Sequence, residues 1–172
     1  MSAAALALVG AVALQRLAEL AVARHNTRRL LAHGGIEAGR RHYPLFVLLH
    51  AAWLAGAAAE AAATPRPPAW PALAGLAVLM AIRLWAMVSL GPWWTTRIIT
   101  IPGAPLVRRG PYRWWRHPNY AVVAGEIALL PLALGAWRLA LGFSAANALL
   151  LAHRLRIEER VLNARGRPIS SA

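Results

Sequence analysis

Three long, predominantly apolar runs, Ala3–Ala23, Tyr43–Ala63 and Trp70–Leu90, each approach the length of about 20 residues that spans the hydrocarbon core of a bilayer. A chain with such runs has few ways to fold. In lipid every backbone amide and carbonyl must find its partner inside the segment, so each run reads as a helix. Two shorter runs follow, from about residue 120 to 134 and from 139 to 151, separated by Gly135-Ala136-Trp137-Arg138. They read as a tight helical hairpin. Between the second and third runs, TPRPPA from Thr64 to Ala69 stops any helix, because proline lacks an amide donor and restricts the residue before it. No basic residue precedes the first run, so it reads as a retained span and not as a cleaved signal peptide. The expectation is an all-α integral membrane protein of one domain, residues 1–172, with about five transmembrane helices.

Composition supports a membrane class: 59% of the 172 residues are hydrophobic and only 15% are charged, well below the charged share of soluble domains. All nineteen basic residues are arginine, and the six acids are all glutamate. With the abundance of alanine, this is the bias of a GC-rich genome. The formal charge of +13 could mark a nucleic-acid binder. Its distribution argues otherwise, because the arginines fall in short segments between apolar runs, the pattern of topology signals. Arg24, Arg28, Arg29, Arg40 and Arg41 follow the first run. Arg97, Arg108, Arg109, Arg113 and Arg116 follow the third, and Arg154, Arg156, Arg160, Arg165 and Arg167 end or follow the fifth. Only Arg66 and Arg138 fall in the intervening loops. The positive-inside rule then places the N-terminus outside and the C-terminus in the cytoplasm, in a cell membrane crossed several times. The absence of cysteine excludes disulfides, thiolate nucleophiles and cysteine-based metal sites. His25, His33, His42 and His50 lack the i, i+4 spacing of a helical ligand pair, so no metal is expected.

Ionisable residues inside the apolar runs are functional candidates by default, since each costs roughly 2.5–3.5 kcal/mol on insertion scales. Arg16 and Glu19 lie three apart on one helical face and can pair. Arg83, Glu60 and Glu126 have no local partner; Glu60 falls near the outer surface, and Glu126 lies at a depth where it could line a cavity.

The densest polar chemistry is PGAPLVRRGPYRWWRHPNY, from Pro102 to Tyr120, and across the hairpin HRLRIEERVL, from His153 to Leu162. Each part has a bland reading: Gly110-Pro111 as a turn, Trp93, Trp94, Trp114 and Trp115 as an interfacial belt or tunnel mouth, the arginines as topology signals. Together they contain LVxxGPYxxxRHPxY and RxxxEExxL, and this pair of motifs resembles the isoprenylcysteine carboxyl methyltransferase family of integral membrane enzymes. The matching residues are Leu106, Val107, Gly110, Pro111, Tyr112, Arg116, His117, Pro118, Asn119 and Tyr120, then Arg154, Glu158, Glu159 and Leu162. The resemblance covers roughly the last eighty residues. The first half resembles a bacterial subgroup whose members accompany type III polyketide synthases and methylate alkylpyrones.

That resemblance implies S-adenosylmethionine as cofactor, held by a loop over residues 91–120 and a cytoplasmic helix end over 152–165. Glu158 would accept the ribose hydroxyls. His117, Pro118, Asn119 and Tyr120 would close on the cofactor, and Tyr112 with Ala104, Pro105, Leu106 and Val107 would flank the adenosine; Ala104 and Pro105 are placed by offset and not by identity. Arg154, four residues before Glu158, is the candidate for positioning the oxyanion of a lipophilic acceptor drawn from the membrane lipid, a carboxylate or an acidic enol. The reaction implied is an O-methyl transfer with no nucleic-acid partner and with a functional link to a type III polyketide synthase. An RHPxY-type motif also occurs in membrane reductases of sterols and fatty acyl chains, so an NADPH-dependent reductase is the alternative, and a non-enzymatic membrane protein a third reading.

Overall fold

The computed structural model describes residues 2–64 and 66–165; the basic tail that contains Arg167 lies outside them. Five helices run in chain order: α1 (Ser2–Ala32), α2 (Tyr43–Ala63), α3 (Trp70–Leu90), α4 (Pro118–Ala133) and α5 (Trp137–Arg165). Helices α2 and α3 occupy the same residues as the apolar runs. Both have proline within the first two positions, where the missing amide has no helical partner to lose.

The other helices differ from the apolar runs in length. Helix α1 continues nine residues past Ala23, because Arg24 to Leu31 contains no breaker. It ends where Gly34 takes a φ of 81°, with Gly35 N donating to Leu30 O at 2.8 Å and Gly34 N to Leu31 O at 3.2 Å, a Schellman closure. At the hairpin the same closure ends α4. Gly135 has a φ of 72°, and Ala136 N donates to Pro131 O at 2.8 Å. The fifth run and the basic helix end beyond it form one continuous helix of 29 residues.

Helices α1, α2 and α3 are long and apolar enough to cross a membrane, while α4 is a shorter apolar helix of 16 residues. One element departs from the helical reading. Strands β1 (Ile36–Ala38) and β2 (Ile98–Thr100) pair antiparallel, with Ile36 opposite Thr100 and Ala38 opposite Ile98. Three-residue strands leave no readable alternation in sequence. The ribbon joins the loop after α1 to the loop after α3, so these two basic loops lie at one end of the bundle with the last turns of α5.

Small residues set the helix spacing, as they do where apolar attraction between helices is weak. A Cβ on Gly75 would lie 2.8 Å from Leu129, and one on Gly125 would lie 2.7 Å from Leu79. Helices α3 and α4 therefore interlock reciprocally, a leucine of each seated over a glycine of the other. Trp53 of α2 is fully buried, and its indole donates to Ile127 O at 3.1 Å. That carbonyl is the one left unpaired by Pro131, which has no amide to return to position 127.

Four ionisable residues of the spans, Arg16, Glu19, Arg83 and Glu126, meet in one cluster. Arg83 donates to both carboxylate oxygens of Glu126, at 3.1 and 2.7 Å, and to Glu19 at 2.9 Å. Arg16 pairs with Glu19 at 3.1 Å and also with Glu126. Gln15 completes the set through Glu19 at 2.7 Å. Arg83 and Glu126 are 2% and 1% exposed. Two arginines and two glutamates thus neutralise one another across α1, α3 and α4, and Glu126 is a structural ion and not a cavity lining. Glu60, near the other end, bonds Thr64 at 3.1 Å and faces Arg66 at 3.7 Å.

Removing one member strands its partners. Glu126→Ala should destabilise the detergent-solubilised protein by about 3–5 kcal/mol, read from its chemical-denaturation midpoint, because a buried charge loses its counterion. The double replacement Arg83→Met with Glu126→Leu should recover most of that loss.

Candidate functional site

The last turns of α5 and the first turn of α4 face each other at the end of the bundle where the ribbon lies. Helix α4 begins at Pro118, with His117 at its N-cap. The approach to it is a short 3-10 helix over Gly110–Arg113. Gly110 adopts a φ of 56°, and a Cβ there would lie 1.9 Å from Ser89 Oγ. Only glycine lets this loop press against α3.

The hydroxyl of Tyr120 is the centre of the arrangement. It accepts from Arg154 Nε at 2.6 Å and donates to the Glu158 carboxylate. Arg154 and Glu158 project from one face of α5, one turn apart, and are joined through this phenol. The guanidinium of Arg154 also donates to Thr96 O at 2.9 Å and lies over the rings of Phe46 and Tyr120, 5.4 and 5.6 Å from their centroids. It is 8% exposed. His117 stacks parallel on Tyr120 at 5.3 Å, holds Glu159 through Nε2 at 2.7 Å and brings Nδ1 to 3.7 Å from Glu158. Arg116 binds the other oxygen of Glu159 at 2.7 Å and reaches Asn163 at 3.5 Å.

Of the residues singled out from the sequence, His117, Pro118, Asn119, Tyr120, Arg154 and Glu158 come together here. Asn119 Oδ1 is buried without a hydrogen-bond partner. Tyr112 packs against Trp94, Ala23 and Ala86. Burial, with the nearby Glu158 carboxylate second, raises its phenol above the usual tyrosine value. Ala104 to Val107 form the irregular segment between β2 and the 3-10 helix, with Ala104 N donating to Ile101 O at 3.2 Å and Leu106 exposed. Trp114 and Trp115 are exposed, as a belt requires, whereas Trp94 is buried.

Phe46, Thr96 and Asn163 join the site without a signal in the sequence. Phe46 and Thr96 come from parts of the chain 108 and 58 residues from Arg154 and carry no local signature. Arg116 and Glu159 stood in the motif strings, but Arg116 had a sufficient explanation as a topology signal.

The donor set fits a ligand that combines a diol, a zwitterion and a cation. The Glu158 carboxylate can accept hydroxyl or ammonium protons, the Arg154 guanidinium can bind an anion, and Asn119 Oδ1 is a buried acceptor without a protein partner.

Residues 72–164 match the model of the isoprenylcysteine carboxyl methyltransferase (ICMT) family. The chain is also 40% identical over 158 residues to the uncharacterized protein YpbQ of Bacillus subtilis, covering 90% of this chain and 94% of that protein. An uncharacterized protein of Haemophilus influenzae is 28% identical over 152 residues, covering 86% and 88% of the two chains. No solved structure matches. The chain belongs to the isoprenylcysteine carboxyl methyltransferase family, whose members are membrane methyltransferases.

Tyr112 gives the site a pH signature. Its folded-state value lies above the unfolded value of about 10, so the stability linked to its protonated phenol is intact below pH 10 and is lost as the pH rises through the folded value. Thermal midpoints of the wild type should fall above pH 10, and Tyr112→Phe should flatten that decline.

Proposed function

We propose that this chain is an S-adenosylmethionine-dependent O-methyltransferase acting on an acidic oxygen of a lipophilic acceptor. The observation that supports it most is the phenol of Tyr120 joining Arg154 to Glu158: the two motif segments of the family meet at one hydroxyl. S-adenosylmethionine, when bound, supplies a methyl group on a sulfonium, open to in-line attack by an oxyanion.

The residues of this chain do the positioning. Glu158 presents its carboxylate to the ribose hydroxyls. His117, Asn119 and Tyr120 close the α4 side, and Tyr112 with the segment Ala104 to Val107 borders the adenosine. Arg154 binds the acceptor oxyanion with a group that stays protonated and so does not compete for its proton. A carboxylate with a pKa near 4 or an acidic enol arrives already ionised, so no general base is required. Burial of Arg154 under Phe46 and Tyr120 excludes water and strengthens its hold on the anion. The same two contacts fix the guanidinium before substrate arrives.

The acceptor class that accords with the resemblance of the first half is an alkylpyrone or similar polyketide enol, with an isoprenoid or cysteine acid as the next choice. A functional link to a type III polyketide synthase follows from the first. In this reading five helices cross the cell membrane, and the α4–α5 site faces the cytoplasm, where the cofactor is dissolved and the arginine-rich loops lie. The acceptor comes from the bilayer. The family match gives the reductase alternative no support.

Isothermal titration of the detergent-solubilised protein should detect S-adenosylmethionine binding and no NADPH binding. Glu158→Ala should abolish the S-adenosylmethionine signal. Arg154→Ala should retain cofactor binding but lower kcat/KM for an alkylpyrone or lipid acid roughly 10–150-fold, the loss of a charge-assisted hydrogen bond of about 1.5–3 kcal/mol. Retained methylation with Arg154→Ala would contradict the role given to that residue.

A further inference from the structure

A groove separates α1 and α3 toward the end of the bundle that carries the site. The groove between them is lined by Val22 and Asn26 of α1, Leu84, Met87 and Val88 of α3, and Gly91 and Trp94 beyond α3, and encloses about 300 Å³. Its walls are almost wholly apolar. Asn26, its polar side chain, is already spent, donating to Gly91 O at 3.1 Å and Trp94 O at 2.9 Å. The groove opens sideways, since Leu84 and Val88 are exposed at 62% and 69%.

Two further features sit on this groove. Trp94 is 4% exposed, and its indole Nε1–H is buried without a partner. Such a donor lacks the acceptor that buried N–H groups ordinarily have. Arg109 stands at the mouth. Its Nε donates to Ser89 O at 2.6 Å, and its Nη2 comes within 3.4 Å of where a Cβ on Gly91 would be, so the guanidinium is held beside the groove. Among the described residues no carboxylate pairs with Arg109.

We propose that this groove is a binding site for an anionic phospholipid. The acyl chain lies between Val22, Leu84, Met87 and Val88, an ester carbonyl accepts from Trp94 Nε1, and the phosphate engages the free donors of Arg109 in the charge-assisted geometry that guanidinium offers to phosphate. A bilayer lipid accounts for all three elements: a lateral opening, a carbonyl near the interface and a negative head above it. The site is separate from Arg154, whose guanidinium is enclosed by Phe46 and Tyr120. It nevertheless touches the loop of the methyl-transfer site, because Arg109 precedes Gly110, where the backbone turns onto α3 and leads to Tyr112. An occupied groove anchors the start of that turn.

Native mass spectrometry of the full chain in detergent, with dioleoylphosphatidylglycerol or dioleoylphosphatidylcholine added at equal concentration, tests the proposal without reference to methyl transfer. The wild type should retain phosphatidylglycerol about tenfold better than phosphatidylcholine. Arg109→Ala should erase that preference. Trp94→Phe, which keeps an aromatic side chain but removes the donor with the pyrrole half of the indole, should weaken retention of both lipids alike. Val88→Trp, a change at an exposed position that fills the groove without disturbing the core, should do the same. Equal retention of the two lipids by the wild type, or a preference that survives Arg109→Ala, would overturn the site. Displacement of phosphatidylglycerol by equimolar oleate would overturn it too, by showing that the groove takes a carboxylate acceptor. The titration with S-adenosylmethionine is independent of every arm, so failure of the lipid site and failure of the methyltransferase reading are separately visible.

Discussion

The buried ion cluster of Arg16, Glu19, Arg83 and Glu126 is the contact on which the arrangement of the helices depends. Four charges within apolar spans are tolerable only as a neutral set, and that set exists only while α1, α3 and α4 hold one relative position. Leucine–glycine packing between α3 and α4 fixes their separation, but a shape fit between apolar helices can slide. The two-pronged bond from Arg83 to Glu126 cannot slide without leaving a charge exposed to lipid. It therefore sets the register of α4, and the register of α4 decides where Tyr120 stands six residues before Glu126.

From that register the site follows. Tyr120 projects from the first turn of α4 toward the stripe of α5 that bears Arg154 and Glu158, and its single hydroxyl both accepts and donates. The loop before α4 is fastened from the other side by Arg116 and His117, which share Glu159 between them. The two adjacent glutamates thus divide the work. Glu158 faces the phenol, and Glu159 ties the loop to the helix.

Much of this was legible in the sequence, and what was not has identifiable causes. The bounds of α2 and α3 could be read to the residue because proline-rich breakers coincide with the ends of the apolar runs. The end of α1 could not, since an apolar window ends at the first arginines whereas a helix ends at its first glycine with positive φ, Gly34. In α5 the charged end over 152–165 reads as a continuation of the last helix, and it is one. The Arg16–Glu19 pair was readable as a local i, i+3 contact, but the partners of Arg83 and Glu126 lie 43 and more residues away. Helix periodicity carries no information about which faces will meet. In the site, Arg154 and Glu158 stood out by spacing and by resemblance, while Phe46 and Thr96, which enclose Arg154, are ordinary residues made special by position.

The central claim is that the segments around Tyr120 and Glu158 form one site for the methyl donor. Hydrogen–deuterium exchange of the detergent-solubilised protein with and without S-adenosylmethionine tests it most directly. Ligand-dependent protection is expected in two separate peptides, one covering residues 110–120 and one covering 152–163, with α2 and the loop between α2 and α3 unchanged. Protection confined to other segments, or none at a saturating concentration of the ligand, would contradict it.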